Sequence, residues 1–299
     1  DWYGVYIGYY DQSSVLDGLT LEYGGYGGYS NLYLYNNTTS AGTKYVTITD
    51  SVSRNGGNHG VYLQSSAMAS IARSTFKDNS GYGVYLDGSS SLYSASGPTF
   101  ANNVLEGNDF PIALPPQSVA QLDTTSSYDL NDNDYIVIQG GTVSSTATWR
   151  DWDVDGYITG AVNVQGTSNP QLTINPGSKF KFSSSGSITA GNGGNGSLYA
   201  VGTSASPLTF TSYQSSPKKG DWQGIFLGYY DKGSTIQYAT VEYGGANGGG
   251  NIYAYYCNAA TSIKDSTISN SSTYGIYRSA CTPTISGITY SGNTSGNLY

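Results

Sequence analysis

Short apolar–polar–apolar triplets recur along this chain at Val5–Ile7, Leu32–Leu34, Val61–Leu63 and Val84–Leu86. They return at Ile225–Leu227 and Ile252–Ala254, and in part at Ile276 and Leu298. Successive copies lie 22 to 29 residues apart. A period of two marks a strand with one buried face. A second apolar column runs through Ile236 and Val241, Ile263 and Ile268, Ile285 and Tyr290. Gly, Asn, Ser and Asp bound the triplets, and these residues turn the chain. No stretch carries a convincing 3.6-residue apolar period, so almost no helix is expected.

A period in the twenties, built from short strands and turns, fits one coil of a parallel β-helix. One coil cannot bury its apolar face alone; stacking on the next coil buries it and pairs the backbone. A propeller would need blades of about 40 residues. The expected fold class is therefore all-β, a tandemly duplicated solenoid. The duplication is explicit. Asp1-Trp2-Tyr3-Gly4-Val5-Tyr6-Ile7-Gly8-Tyr9-Tyr10-Asp11 returns as Asp221-Trp222-Gln223-Gly224-Ile225-Phe226-Leu227-Gly228-Tyr229-Tyr230-Asp231. Thr20-Leu21-Glu22-Tyr23-Gly24-Gly25 returns as Thr240-Val241-Glu242-Tyr243-Gly244-Gly245 at the same offset of 220 (Trp2 to Trp222). Farther on, Pro98-Thr99-Phe100 matches Pro283-Thr284-Ile285. The expected organisation is coils over 1–110, a proline-marked linker over 111–134, and a second unit over 135–299 that opens with lead-in strands. The first copy lacks that lead-in, so the chain reads as a piece of a longer tandem array.

Composition narrows the setting. Charged residues are only 11% of the chain, whereas Gly and Tyr number 41 and 30. Soluble domains average about 25% charged. A hydrated but weakly charged surface suits a secreted, extracellular or cell-surface protein. Net charge is −8 with only 12 Lys and Arg, scattered without a stripe, which argues against nucleic acid as a partner. No apolar run is long enough to span a membrane as a helix. No export signal is visible; any signal or anchor is expected to have been removed or to lie outside this sequence.

The runs Leu172-Thr173-Ile174-Asn175-Pro176-Gly177-Ser178-Lys179-Phe180-Lys181-Phe182, Gly202–Ser212 and Gly220–Ile225 occur in that order. Together they resemble bacterial pectate-lyase-like right-handed parallel β-helix surface proteins. The resemblance covers roughly 160–299 and again 1–110. It implies a right-handed helix. It says little of function, since that superfamily holds lyases, hydrolases and adhesins alike. Its lyases are expected to use acidic calcium ligands with a basic residue. The nearest match is Asp151-Trp152-Asp153-Val154-Asp155-Gly156, where Asp151, Asp153 and Asp155 are candidate ligands for a structural Ca²⁺. Val162 stands where a calcium loop would carry its bidentate Glu, so a solvated acidic turn is the competing reading. Asn131-Asp132-Asn133-Asp134 is a weaker candidate loop. Related polygalacturonases combine paired aspartates, Gly-His-Gly and Arg-x-Lys; here only His59 stands in Asn58-His59-Gly60. Glycoside hydrolysis needs two carboxylates across the bond. The duplicated Glu22 and Glu242 supply one such position each and read better as structural. No catalytic residue is expected.

Cys257 and Cys281 are about one coil apart, which places them as neighbours and suits a disulfide in an oxidising exterior. The outward middles of the triplets form an expected aromatic surface: Tyr6, Tyr33, Tyr62 and Tyr85, then Phe226, Tyr253, Tyr277 and Tyr299. Three uses stay open for it: a ladder that stabilises the sheet, association of the chain with itself end-to-end or laterally, or contact with polysaccharide. Asn-x-Ser/Thr sites occur at Asn36, Asn37, Asn195, Asn270 and Asn293. The expected function is a non-catalytic extracellular structural or adhesive protein, a subunit of a surface fibre or layer; the alternative is a polysaccharide-binding module, lyase or hydrolase.

Overall fold

The computed structural model describes residues 2–11, 13–37, 44–96 and 99–299. Asp1 and Pro98 of the repeated motifs, and Thr38 and Thr39 of two glycosylation sequons, lie outside them. Two compact units result, Asp1–Val137 with Trp152–Val154, and Ile138–Asp151 with Asp155–Tyr299. Both are parallel β-solenoids. Among the described residues the only helical pieces are two single 3₁₀ turns, Tyr26–Gly28 and Val119–Gln121.

In the first unit the strands stack into three parallel sheets, and one coil gives both Ser91–Leu92 and Phe100–Ala101 to the same sheet. One sheet stacks Val5–Ile7, Leu32–Tyr35, Val61–Gln64, Tyr82–Leu86 and Phe110–Leu114. Its register pairs Val5 with Leu32, Leu32 with Val61 and Val61 with Val84. Identical spacing within each triplet sends every first and third residue inward. Leu32, Leu34, Val61, Leu63, Val84 and Leu86 are buried as a result. Full burial of such a side chain stabilises by about 1.5–3 kcal/mol. In the second unit the triplets Gly224–Leu227, Ile252–Tyr255 and Tyr274–Ser279 stack in the same way. The second apolar column also forms: Ile236, Ile263 and Ile285 pair in one sheet, and Val241, Ile268 and Tyr290 in another.

Residues 111–134 are not a linker. Phe110–Leu114 pairs in parallel with Tyr82–Leu86, and Ile112 continues the inward column from Val84. Bridges from Phe100 to Leu122 and from Val104 to Ser127 close another coil. Pro111 fits because a proline's fixed φ is compatible with extended chain and removes only one donor.

A buried polar ladder runs inside the first unit. Asn31 Nδ2 donates to Asn79 Oδ1 (3.2 Å), Asn79 Nδ2 to Asn108 Oδ1 (2.9 Å), and Asn108 Nδ2 to Asn131 Oδ1 (3.0 Å). These amides also close the turns: Asn31 Oδ1 accepts Gly24 N–H at 2.7 Å. The duplicate repeats this contact, with Asn251 Oδ1 accepting Gly244 N–H at 2.7 Å. Buried amides persist only when satisfied in this way.

Candidate functional site

The predicted tyrosine column forms. Tyr6 pairs with Tyr33, Tyr33 with Tyr62, and Tyr62 with Tyr85. In the second unit Phe226 pairs with Tyr253 and Tyr253 with Tyr277, and Tyr299 stacks on Tyr277 at 4.6 Å. The interior rungs do not make a flat strip. Tyr33 meets Tyr62 at 74° and Tyr62 meets Tyr85 at 78°, both near 5.2 Å. Phe226 and Tyr253, and Tyr253 and Tyr277, meet at 79° and 84°. Edge-to-face rings complement each other's quadrupoles, so the interior rungs are satisfied by their neighbours. Burial, reinforced by Tyr33, Tyr85 and Asp87, pushes the Tyr62 phenol up to about 12.

His59 is built into this ladder. Its ring stacks on Tyr85 at 4.8 Å and 11°, and meets Tyr62 and Tyr82 edge-on. Nδ1 accepts the Tyr82 N–H at 3.1 Å, so the proton of the neutral ring sits on Nε2. Burial pushes its pKa down to about 4.

Exposed aromatics include Tyr6 at one end of the column and the tyrosine pairs of a duplicated turn. Tyr6 is 57% exposed. Its ring leans along the strand across Gly8: a Cβ at Gly8 would lie 2.6 Å from Tyr6 Cε1 and 3.1 Å from Cζ. At Gly228 the nearest atom to such a Cβ is the Gly191 carbonyl oxygen at 2.6 Å, with Phe226 Cε1 at 2.9 Å. Beyond each glycine the chain turns. Asp11 N–H donates to Gly8 O at 2.9 Å, and Asp231 N–H to Gly228 O at 3.0 Å. Tyr9-Tyr10 and Tyr229-Tyr230 are the central residues of these turns and project outward, each pair packed edge-to-face at 5.2 and 5.0 Å. The aspartates anchor the turns. Asp11 accepts the N–H groups of Ser13 and Ser14, at 3.0 and 3.1 Å. Asp231 accepts those of Gly233 and Ser234 and the Thr261 hydroxyl. The sequence Gly-Tyr-Tyr-Asp-x-x-Ser therefore encodes an outward pair of phenols.

In the first unit this seat has two open hollows that share the Tyr6 ring as a wall. One, of about 420 Å³, is lined by Tyr3, Gly4, Val5, Tyr6, Tyr29 and Tyr33. The other, of about 500 Å³, is lined by Tyr6, Ile7, Gly8, Tyr9, Tyr10, Asp11 and Ser14.

The acidic candidates are engaged elsewhere. Glu22 is ion-paired with Arg54 at 2.8 Å, and Glu242 accepts the Thr211 hydroxyl at 2.9 Å. Their backbone carbonyls share a duplicated role, accepting Trp2 Nε1 and Trp222 Nε1. Asp155 lies between Lys179 (3.2 Å) and Lys181 (3.4 Å), and Asp153 accepts the Tyr128 N–H at 3.0 Å. Desolvation raises the pKa of Asp151, with a further contribution from Asp155. Among the described residues no group of three His, Cys, Asp or Glu side chains is placed to hold a metal ion. With two ammonium groups beside Asp155, this donor set does not fit a calcium site. In the second loop Asn131 belongs to the asparagine ladder, and Asp134 accepts its N–H at 2.8 Å.

Cys257 and Cys281 form a disulfide across adjacent coils, with Cα atoms 5.5 Å apart. Of the sequons, Asn37 is fully buried and exchanges two hydrogen bonds with the Met68 backbone, so its amide is committed to the fold.

Residues 3–135 match the family described as right handed beta helix region, a span that covers most of the first unit. The fold class is accordingly an all-β, right-handed parallel β-solenoid. No curated protein and no solved structure matches the chain. No helix among the described residues is long and apolar enough to cross a membrane.

Proposed function

We propose that this chain is a non-catalytic structural or adhesive protein of the cell exterior, carried in a surface fibre or layer. The observation that carries this reading is the contrast between its aromatic and acidic groups. Phenol rings are projected outward by duplicated, purpose-built turns. Carboxylates are taken up by hydrogen bonds and ion pairs that hold the coils in register. The disulfide supports an oxidising, extracellular setting. The low charge density supports a surface meant for contact rather than for electrostatic steering.

The test has two readouts on purified protein. Incubation with a panel of neutral and acidic polysaccharides is expected to release no reducing ends and no unsaturated products. Electron microscopy is expected to show ordered assemblies. Polysaccharide turnover would overturn the non-catalytic reading, and dispersed single particles at all concentrations would overturn the fibre or layer.

A further inference from the structure

We infer that Tyr229 and Tyr256 are a modification site, at which oxidation joins the two phenol rings and ties together two adjacent coils of the second unit. The oxidant is hydrogen peroxide used by a haem peroxidase. The inference rests on the exterior setting proposed above, which supplies such an oxidant, and not on the fibre or layer.

Three observations carry it. The first is proximity. The Tyr229 and Tyr256 ring centroids are 5.8 Å apart, with planes inclined at 49°. The residues are 60% and 48% exposed. Their strands, Gly224–Leu227 and Ile252–Tyr255, are each paired on both sides, so neither ring owes its exposure to an end of the stack. Exposed rings change rotamer within picoseconds to nanoseconds, which lets them close the remaining gap. The second is a change between the copies. Asn36-Asn37 of the first copy stands where Tyr256-Cys257 stands in the second, again at an offset of 220 (Asn36 to Tyr256). Asn36 and Tyr256 are both left-handed, with φ of 46° and 48°. Both donate their N–H to the next coil, to Gln64 O at 3.0 Å and Ser279 O at 2.9 Å. That conformation suits asparagine and disfavours a bulky ring. The second copy therefore holds a tyrosine against local preference and sets a cysteine beside it. Cys257 is bonded to the following coil through Cys281, and Tyr256 meets the preceding coil through Tyr229. The third is the lack of competing donors. The two cysteines are bonded to each other, Trp149 and Trp222 are fully buried, and the second unit contains no methionine. Exposed phenols are then its accessible one-electron donors. Each phenol gives up one electron and one proton. The two phenoxyl radicals couple at the carbons ortho to oxygen, forming a Cε–Cε bond, and the hydrogen on each joined carbon moves to oxygen to restore the phenol. The chain loses two electrons and two protons, which reduce one hydrogen peroxide to two waters. In a micromolar solution, a tyrosine of another copy is far more dilute than a partner tethered on the adjacent coil, whose effective concentration is on the order of millimolar. The bond therefore forms within the chain.

The experiment treats the dilute whole chain with a haem peroxidase and hydrogen peroxide, isolates the monomer and digests it. The monomer should gain dityrosine fluorescence and lose the mass of two hydrogen atoms. Mass spectrometry should find the peptides holding Tyr229 and Tyr256 joined. Tyr229→Phe and Tyr256→Phe keep both rings but cannot form the phenoxyl radical, and each should lower the intrachain yield by about tenfold or more. Tyr10→Phe removes a phenol that is 87% exposed and should leave the yield unchanged. Circular dichroism establishes that each variant is folded. Several outcomes overturn the inference: no dityrosine in the monomer, joined peptides that leave out Tyr229 or Tyr256, a yield that the two variants leave unchanged, or crosslinks between chains alone. Because the oxidant is supplied in the assay, these outcomes are separate from the structural reading, which fails on polysaccharide turnover or on lack of assembly.

Discussion

Acidification should destabilise this protein well above the pH at which its carboxylates titrate, through one residue. His59 is the chain's single histidine. Its ring is held neutral between Tyr62, Tyr82 and Tyr85, with a pKa of about 4 against an ordinary 6.5. A depressed value means that the unfolded chain takes up the proton first. The contribution is therefore complete above about pH 6.5 and is lost as the pH falls through 4. The gap between the two values corresponds to about 3 kcal/mol, and partial access of water to the ring trims this to about 2 kcal/mol. Urea denaturation of wild type and His59→Phe at pH 7 and pH 4.5 would measure it. Phenylalanine keeps the stacking but cannot titrate. Comparing the two proteins also cancels Asp151 and Asp153, which desolvation raises and which therefore favour the folded state as the pH falls. Wild type should lose about 2 kcal/mol more than the variant. Equal losses, or a His59 ring that titrates near 6.5 by NMR, would refute the reasoning.

Other outcomes follow from the same geometry. Asn79→Ala should cost about 1–3 kcal/mol in denaturant titrations, because it removes the side-chain acceptor of the Gly56 N–H and the bonds from Asn79 to the Ser53 carbonyl, Asn31 and Asn108 inside the first unit. Replacing Cys257 and Cys281 by Ser should cost about 3 kcal/mol, for a crosslink spanning 24 residues; hydrogen exchange should show the loss concentrated in the last coils. Chelator should leave the melting temperature unchanged, because Lys179 and Lys181 already neutralise Asp155; a fall reversed by calcium would show that the acidic loop holds a metal.

The coil period was legible because an inward triplet must repeat at every turn of a solenoid. The same triplets placed Tyr6, Tyr33, Tyr62 and Tyr85 in one outward column. Cysteines one coil apart had to be neighbours, and Cys257 and Cys281 are bonded. Legibility failed where a residue's partner is set by the coil above or below. Asn31, Asn79, Asn108 and Asn131 looked like turn residues, which they are, but their side chains also bond from coil to coil. The 29- and 23-residue spacings of the last three, near the coil period, were the available signal. Pro111, Pro115 and Pro116 suggested a break, yet extended backbone accommodates proline, and Ile112 and Leu114 kept the inward pattern. Asp151, Asp153 and Asp155 alternate as calcium ligands do, but alternation along one strand says nothing of the lysines that the next coil brings to Asp155. The turn tyrosines were visible as a duplication. Their exposure was legible too; the Gly8–Asp11 hydrogen bond that turns the chain there was not.

The most direct measurement is electron microscopy of the purified chain over a concentration series, with the same sample assayed for sugar released from polysaccharide. The account predicts ordered assemblies and no sugar released. Dispersed single particles at every concentration, or released sugar rising with time and with protein concentration, would contradict it.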